Sequence, residues 1–133
     1  MPGGCGVTYV IACLMAAASF LLNRLLLRLL GARVIIGYGP AVEEAAKTLL
    51  SYWLGADIIL THVTFGLIEG VYDWFVSQSD GFKAALMSIL GHTLFGLITV
   101  AAASLFASIW LGLASGILVH IMYNVTIVRL YAG

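Results

Sequence analysis

Charged residues are scarce in this sequence. Only 9% of its 133 residues are charged, 62% are hydrophobic, and the mean hydropathy is +1.10. A soluble domain carries about 25% charged residues, because groups that water solvates have to cover its surface. Six basic and six acidic residues cannot do so. The composition therefore excludes an ordinary soluble domain and predicts an integral membrane protein whose solvent is lipid.

Other absences narrow the class further. The two cysteines, Cys5 and Cys13, are too few for a disulfide framework and indicate no redox compartment. A formal net charge of zero gives no reason to expect a nucleic-acid partner. The start of the chain carries no lysine or arginine ahead of its apolar run, so no cleavable signal peptide is predicted.

Long apolar runs predict about five helices. A spanning helix needs roughly 20 mostly apolar residues. Lipid leaves only helices and closed barrels as spanning structures, and these runs lack the alternation of a barrel strand. The predicted helices cover residues 7–30, 40–54, 57–76, 82–103 and 105–130, with a loop at 77–81. Pro40 suits a first helical turn, Gly55 suits a helix end, and only Ser104 marks the last boundary.

The expected fold is a single all-α, polytopic transmembrane bundle over residues 1–133. Residues 1–36 form the first helix and a basic cytoplasmic loop, and residues 37–133 form a four-helix core that carries the polar motifs. The segment 22–30, with arginines four apart, can alternatively lie along the membrane interface.

Basic residues predict the orientation of the bundle. They are Arg24, Arg28 and Arg33 between the apolar body of the first helix, residues 7–22, and the second helix, Lys83 at the loop before the fourth, and Arg129 at the end of the fifth. With five crossings all of them lie on one side of the membrane, which the positive-inside rule assigns to the cytoplasm. The N-terminus is then outside and the C-terminus inside.

Several polar residues interrupt the apolar segments. A charged side chain at mid-bilayer costs at least about 2.5–3.5 kcal/mol, so such residues face a cavity or one another and mark candidate functional sites. They are Glu43, Glu44, Lys47, His62, Glu69, His92, His120 and Asn124.

Helical spacing of three and four groups these residues by face. The stripes are Glu43 and Lys47; His62, Phe65, Glu69 and Asp73; Ser88, His92 and Gly96; and Gly112, Gly116, His120 and Asn124. Small residues let membrane helices approach closely. The glycines of the last stripe therefore predict that its histidine and asparagine point into the bundle.

This set of residues suits hydrolysis. A buried carboxylate beside a second carboxylate can take a proton from water. A histidine and an asparagine one helical turn apart can both donate hydrogen bonds to a developing oxyanion.

Four motifs, in order and each on its own helix, resemble those of the PrsW-type intramembrane proteases. They are Glu43-Glu44-Ala45-Ala46-Lys47 for Glu-Glu-x-x-Lys, Phe65 to Glu69 for Phe-x-x-x-Glu, His92 to Gly96 for His-x-x-x-Gly, and His120 to Asn124 for His-x-x-x-Asn. The resemblance covers about residues 39–125 and reaches the wider clan of CAAX prenyl endopeptidases and bacteriocin-processing homologues. The CAAX branch has a histidine where Glu69 stands and a more distant arginine where Lys47 stands, so the PrsW-type branch is favoured.

The resemblance implies an intramembrane endopeptidase acting on a membrane-anchored protein or peptide, expected in a prokaryotic cytoplasmic membrane. Glu43 would be the general base that activates water, and Glu44 would orient it or share its proton. His120 and Asn124 would hold the oxyanion. His92 would orient water or act as a ligand.

The remaining polar residues have supporting or ordinary roles. Glu69 would orient a histidine or pair with Lys47, which would neutralise the carboxylates. We expect His62 near the outer interface, close to Asp57, without a role in the site. Ordinary interface positions are expected for Asp73 and Asp80, and aromatic-belt positions for Trp53, Trp74 and Tyr72.

Alternatives remain open for the metal and for the function. Glu43 or Glu44 with His92 and His120 would make a two-histidine, one-carboxylate set that can hold zinc. No His-Glu-x-x-His is present, so we favour metal-independent hydrolysis without a cofactor.

A non-enzymatic scaffold that binds a partner is the second hypothesis. A proton-coupled carrier is the third; it would have to oligomerise, and no inverted repeat is visible.

Overall fold

The structure, a computed structural model, describes residues 4–31 and 37–131. Those residues form five α-helices joined by short turns and contain no strand. The helices are α1 (Cys5–Leu30), α2 (Gly39–Leu54), α3 (Ile58–Val76), α4 (Gly81–Leu105) and α5 (Ile109–Tyr131). The predicted all-α fold of five helices is confirmed. Arg33, which was assigned to the basic loop, lies outside the described residues.

Local sequence signals explain where the second and third helices begin and end. Pro40 lies in the first turn of α2, where its missing N–H leaves no bond unmade. Gly55 closes α2 in the left-handed conformation, with φ of 66°. The Asp57 carboxylate caps α3 by accepting the backbone N–H of Leu60 at 2.7 Å. All three ends agree with the sequence prediction.

The predicted boundary between the last two helices is wrong by a few residues. The fourth helix continues to Leu105, and the fifth begins at Ile109. Ala107 makes the turn in a left-handed conformation, with φ of 48°, that glycine or asparagine usually adopts. Neither glycine nor proline occurs in this turn, and the signal that the prediction missed is Ser108, whose hydroxyl accepts the backbone N–H of Leu111 at 3.4 Å at the start of α5. The predicted loop at 77–81 contains a short 3-10 turn, Gln78–Asp80.

Polar side chains occupy the interior, and apolar side chains cover the outside. Among the described residues, buried polar or charged side chains outnumber buried apolar ones. Large apolar side chains lie on the surface, including Phe75 at 80% exposure and Leu29 at 69%. A soluble protein shows the opposite distribution. Of the five helices in the described ranges, three (α1, α4 with the turn before it, and α5) are long and apolar enough to cross a membrane. The chain is therefore an integral membrane protein.

Contacts at the two ends of the bundle show which helix ends lie together. The rings of Phe20 in α1 and Tyr72 in α3 are 4.7 Å apart. The Lys83 ammonium lies 4.6 Å from the centre of the Tyr131 ring, which joins the start of α4 to the end of α5. At the opposite end, the backbone N–H of Asp57 donates to the Thr8 hydroxyl at 3.4 Å. The exposed basic side chains among the described residues, Arg24, Arg28, Lys83 and Arg129, therefore gather at one end, which we name the basic end.

Two glycines allow α5 to press against α4. A Cβ on Gly112 would lie 2.6 Å from the backbone oxygen of Thr99 and 2.7 Å from the Cβ of Ala103. A Cβ on Gly116 would overlap the Thr99 hydroxyl. The predicted close-packing face of α5 is confirmed. Because His120 continues the same stripe, this contact turns its side chain into the bundle.

We predict that Gly112→Ala destabilises the protein by about 1–3 kcal/mol, because the added methyl group meets backbone rather than a flexible side chain. Thermal or denaturant unfolding in detergent measures the effect. Gly6→Ala in α1 is the matched control, since a Cβ there meets nothing within 4 Å. It should be neutral or slightly stabilising, because alanine favours a helix over glycine. Equal stability of the two variants would contradict the close α4–α5 contact.

Candidate active site

The carboxylate of Glu44, in α2, contacts side chains of two other helices, α3 and α5. Its side chain is fully buried in α2. Its Oε1 accepts from Lys47 Nζ at 2.7 Å and lies 2.9 Å from Nδ1 of His120 in α5. Its Oε2 lies 2.8 Å from Nε2 of His62 in α3. Both carboxylate oxygens are thus engaged by groups of the protein.

Lys47 connects this carboxylate to a second one. Its ammonium, ion-paired with Glu44, also contacts Nδ1 of His92 at 2.9 Å. An ammonium can only donate, so this nitrogen of His92 is the acceptor and the neutral ring carries its proton on Nε2. That Nε2–H donates to Oε2 of Glu69 at 2.5 Å. The tautomer of His92 is therefore fixed by its neighbours.

The chain of hydrogen bonds continues outward to Asp73. The Ser88 hydroxyl donates to Oδ2 of Asp73 at 2.6 Å and lies 3.3 Å from Oε2 of Glu69. Asp73, expected to be an ordinary interface residue, thus belongs to the outer part of the polar cluster. An unbroken series of polar contacts runs from Asp73 to Glu44.

Aromatic rings hold the two cleft histidines in place. Phe95 stacks on His120 with ring centres 4.2 Å apart, and Phe65 packs edge-on against His92 at 4.7 Å. The Lys47 ammonium also lies 4.3 Å from the centre of the Phe65 ring, where a cation is attracted to the ring face. The polar cluster is therefore enclosed by packing as well as by hydrogen bonds.

A cleft of about 490 Å³ reaches this cluster. Five of the predicted site residues line it: Glu43, Glu69, His92, His120 and Asn124. Asp80, Lys83 and Tyr131 line the cleft too, which places its mouth at the basic end. The sixth predicted residue, Glu44, lies behind the wall. A second cavity of about 690 Å³, between α1 and α3, shares Glu43 and Glu69 with the cleft.

The structure therefore brings all six predicted site residues into one cluster. Lys47, expected to neutralise the carboxylates, forms an ion pair with Glu44, three residues away. The expectation that His62 lies near the outer interface is wrong, because this side chain is fully buried against Glu44. Its place in the stripe with Glu69 was the signal for this position.

Glu43, Glu69 and His92 could in principle hold a metal ion, since one ligand atom from each lies within 4.8 Å of the others. A metal needs an unprotonated ring nitrogen. Both nitrogens of His92 are engaged, one by the Lys47 ammonium and one, protonated, by Glu69. His120, the other histidine of the expected zinc set, turns its Nδ1 to Glu44. A metal-bound histidine usually donates its second N–H to a carboxylate, so the contact of His120 with Glu44 is compatible with a metal ligand. A metal on His92 would have to take the place of the proton that this ring donates to Glu69.

Comparisons with protein-family models, with curated proteins and with solved structures each found no match to this chain. The resemblance to PrsW-type proteases therefore rests on the four motifs. The chemistry of the site has to be judged from its own geometry.

We predict that Lys47→Met destabilises the protein by about 3–5 kcal/mol, because it leaves the buried Glu44 carboxylate without its cation. The double variant Glu44→Gln/Lys47→Met should lose less than the sum of the single variants, since each removes the same pair. Unfolding in detergent measures all three. Lys83→Met is the control, because this lysine is exposed, and it should cost much less, since it loses a surface cation–π contact with Tyr131 rather than a buried ion pair. Additive losses would show that Lys47 and Glu44 are not coupled.

Proposed function

We propose that this chain is an intramembrane endopeptidase, which hydrolyses a peptide bond of a membrane-anchored protein or peptide. One observation carries the proposal: inside a membrane bundle, the buried carboxylate of Glu43 lines a cleft together with Glu69, His92, His120 and Asn124. A hydrolase needs a base, oxyanion donors and room for water and substrate, and this cleft supplies groups for each.

The two neighbouring glutamates divide the work. Both oxygens of Glu44 are engaged by Lys47, His62 and His120, so this carboxylate is poorly placed to take a proton from water. Glu43 lines the cleft, where a general base has to lie within reach of the proton it removes. We therefore assign the base to Glu43 and a positioning role to Glu44.

The proposed reaction uses one water molecule for each bond broken. Glu43 takes a proton from water while the water oxygen adds to the carbonyl carbon of the peptide bond, which gives a tetrahedral oxyanion. Glu43 then returns the proton to the leaving nitrogen as the C–N bond breaks. The products are a carboxylic acid and an amine, and Glu43 is again ionised. The acid then gives up its proton to the amine or to water.

His120 and Asn124 are the proposed donors to the oxyanion. Both line the cleft, and they lie one helical turn apart on α5. His120 donates its Nδ1–H to the buried Glu44, and its ring is held by Phe95, so the protein fixes its direction in the cleft wall. In the proposed reaction it donates to the oxyanion from Nε2 as an imidazolium, whose charge the Glu44 carboxylate balances. The engaged nitrogens of His92 favour a metal-independent reaction, in which this residue and Glu69 keep the cleft polar.

The distribution of charge supports a proposed topology. We infer that the N-terminus is outside and the C-terminus inside a prokaryotic cytoplasmic membrane, because the exposed basic side chains of the described residues lie at one end of the bundle. The cleft opens at that end, beside Lys83 and Tyr131. Water and substrate would then reach the site from the cytoplasmic half of the membrane.

One observation favours a second candidate function. The polar series from Asp73 through Ser88, Glu69, His92 and Lys47 to Glu44 resembles the proton relays of carriers. A proton-coupled carrier would move protons across sealed liposomes without cutting any peptide, whereas a peptidase would cut peptide without a proton gradient.

We predict that Glu43→Gln lowers cleavage by about 100-fold or more, because an amide cannot accept the proton from water. The assay offers single-span peptides to chelator-treated protein in liposomes. Asp57→Asn is the matched control: the residue is exposed at the opposite end, and asparagine caps a helix as well as aspartate does. It should keep full activity.

Three results would contradict the assignment. Full activity of Glu43→Gln would exclude it as the base. Activity lost on chelation and restored by zinc would overturn the metal-independent reaction. A folded wild-type protein that moves protons and cuts none of the peptides would favour the carrier.

A further inference from the structure

His62 is the buried histidine that the proposed reaction does not use. Its side chain is fully buried in α3, and it lines neither the cleft nor the second cavity. It therefore cannot touch a substrate bound in either of them. Any effect on the reaction has to pass through its neighbours.

The contacts of His62 fix the position of its protons. Nδ1 lies 2.9 Å from the carbonyl oxygen of Ile58, one turn earlier in α3. A carbonyl only accepts, so this nitrogen carries a hydrogen and donates it. Nε2 lies 2.8 Å from Oε2 of Glu44. One further proton is therefore held between this nitrogen and this oxygen.

The ring of His62 has no room to move away from Glu44. Gly96 of α4 lies directly behind it: a Cβ on that glycine would be 2.7 Å from the Cβ of His62 and 2.9 Å from its Cγ. The Ile58 carbonyl holds one end of the ring, and the glycine contact holds its base. The opposite end, Nε2, is thereby aimed at one oxygen of Glu44.

We infer that His62 is a positioning residue, which fixes the rotation of the Glu44 carboxylate and through it the direction of His120. With Oε2 held by His62, the other oxygen stays on Lys47 and Nδ1 of His120. Without that contact the carboxylate can turn about its own axis, and the His120 ring in the cleft wall loses its fixed partner. The kinetic consequences of this inference rest on the proposed peptidase function; the positioning itself does not.

Two substitutions of His62 by an amide side chain test the two nitrogens of its ring separately. In His62→Asn the amide nitrogen can replace Nδ1 and keep the Ile58 carbonyl bond, but it cannot reach Glu44. In His62→Gln the longer side chain can place its amide nitrogen where Nε2 stood. We expect the asparagine variant to lower kcat by about 10–100-fold with KM little changed, because orientation rather than binding is lost. The glutamine variant should recover most of kcat.

Thr64→Ala is the matched control in the same helix. Thr64 is buried, and its hydroxyl donates to the Leu60 carbonyl of its own helix at 2.8 Å. Its removal should leave kcat unchanged. Equal activity of the asparagine and glutamine variants, whether both high or both low, would overturn the inference, since the bond to Glu44 would then not decide the rate.

A measurement without substrate tests the positioning directly. The chain has three histidines, so ¹⁵N-histidine labelling gives three ring systems that single variants can assign. We expect the ¹⁵N resonances of His120 to shift in His62→Asn and to return toward the wild-type values in His62→Gln. Unchanged His120 resonances in His62→Asn would overturn the inference. The expected shifts in a protein that cuts no peptide would support the positioning and count only against the peptidase.

Discussion

The ionised carboxylate of Glu44 is buried away from both water and lipid. The need to compensate its charge determines which side chains meet in the interior of the bundle. Removing a carboxylate from water costs several kcal/mol unless donors replace the lost hydration. Lys47 supplies a cation from the same helix, and His62 and His120 supply imidazole rings from α3 and α5. The rings reach the carboxylate because glycines shorten the distance: Gly96 leaves room for His62, and a Cβ on Gly116 would come within 3.5 Å of Oε2. The close packing of the helices is thus what brings the groups that compensate the buried charge into contact with Glu44.

Helix geometry explains how the two adjacent glutamates of α2 can have different roles. Adjacent residues of an α-helix point about 100° apart. One glutamate can therefore face the packed junction of helices while its neighbour faces the cleft. Glu44 is saturated by the protein, and Glu43 lines the cleft that reaches the basic end. Two adjacent residues of the same type thereby serve different purposes: Glu44 a structural one and, in the proposed reaction, Glu43 a chemical one.

The sequence predicted much of this arrangement, and its failures have physical causes. Apolar length, together with Pro40 and Gly55, placed the helices, whereas the turn at Ala107 was missed because alanine is not a turn residue. Spacing of three and four residues predicted which polar side chains share a face and so which would meet. It could not predict which partner each would take. Lys47 can reach either neighbouring glutamate, and the burial of His62 depends on how α3 packs against α2 and α4.

The central claim is that water, activated in this cleft, cuts a peptide bond. The most direct test is to incubate chelator-treated wild-type protein in liposomes with single-span peptides in H₂¹⁸O and to analyse the fragments by mass spectrometry. The account predicts two fragments whose masses sum to the peptide plus one water, with ¹⁸O in the new carboxyl terminus of one of them. Fragments without ¹⁸O, or no fragments from a folded preparation offered the whole panel, would contradict it.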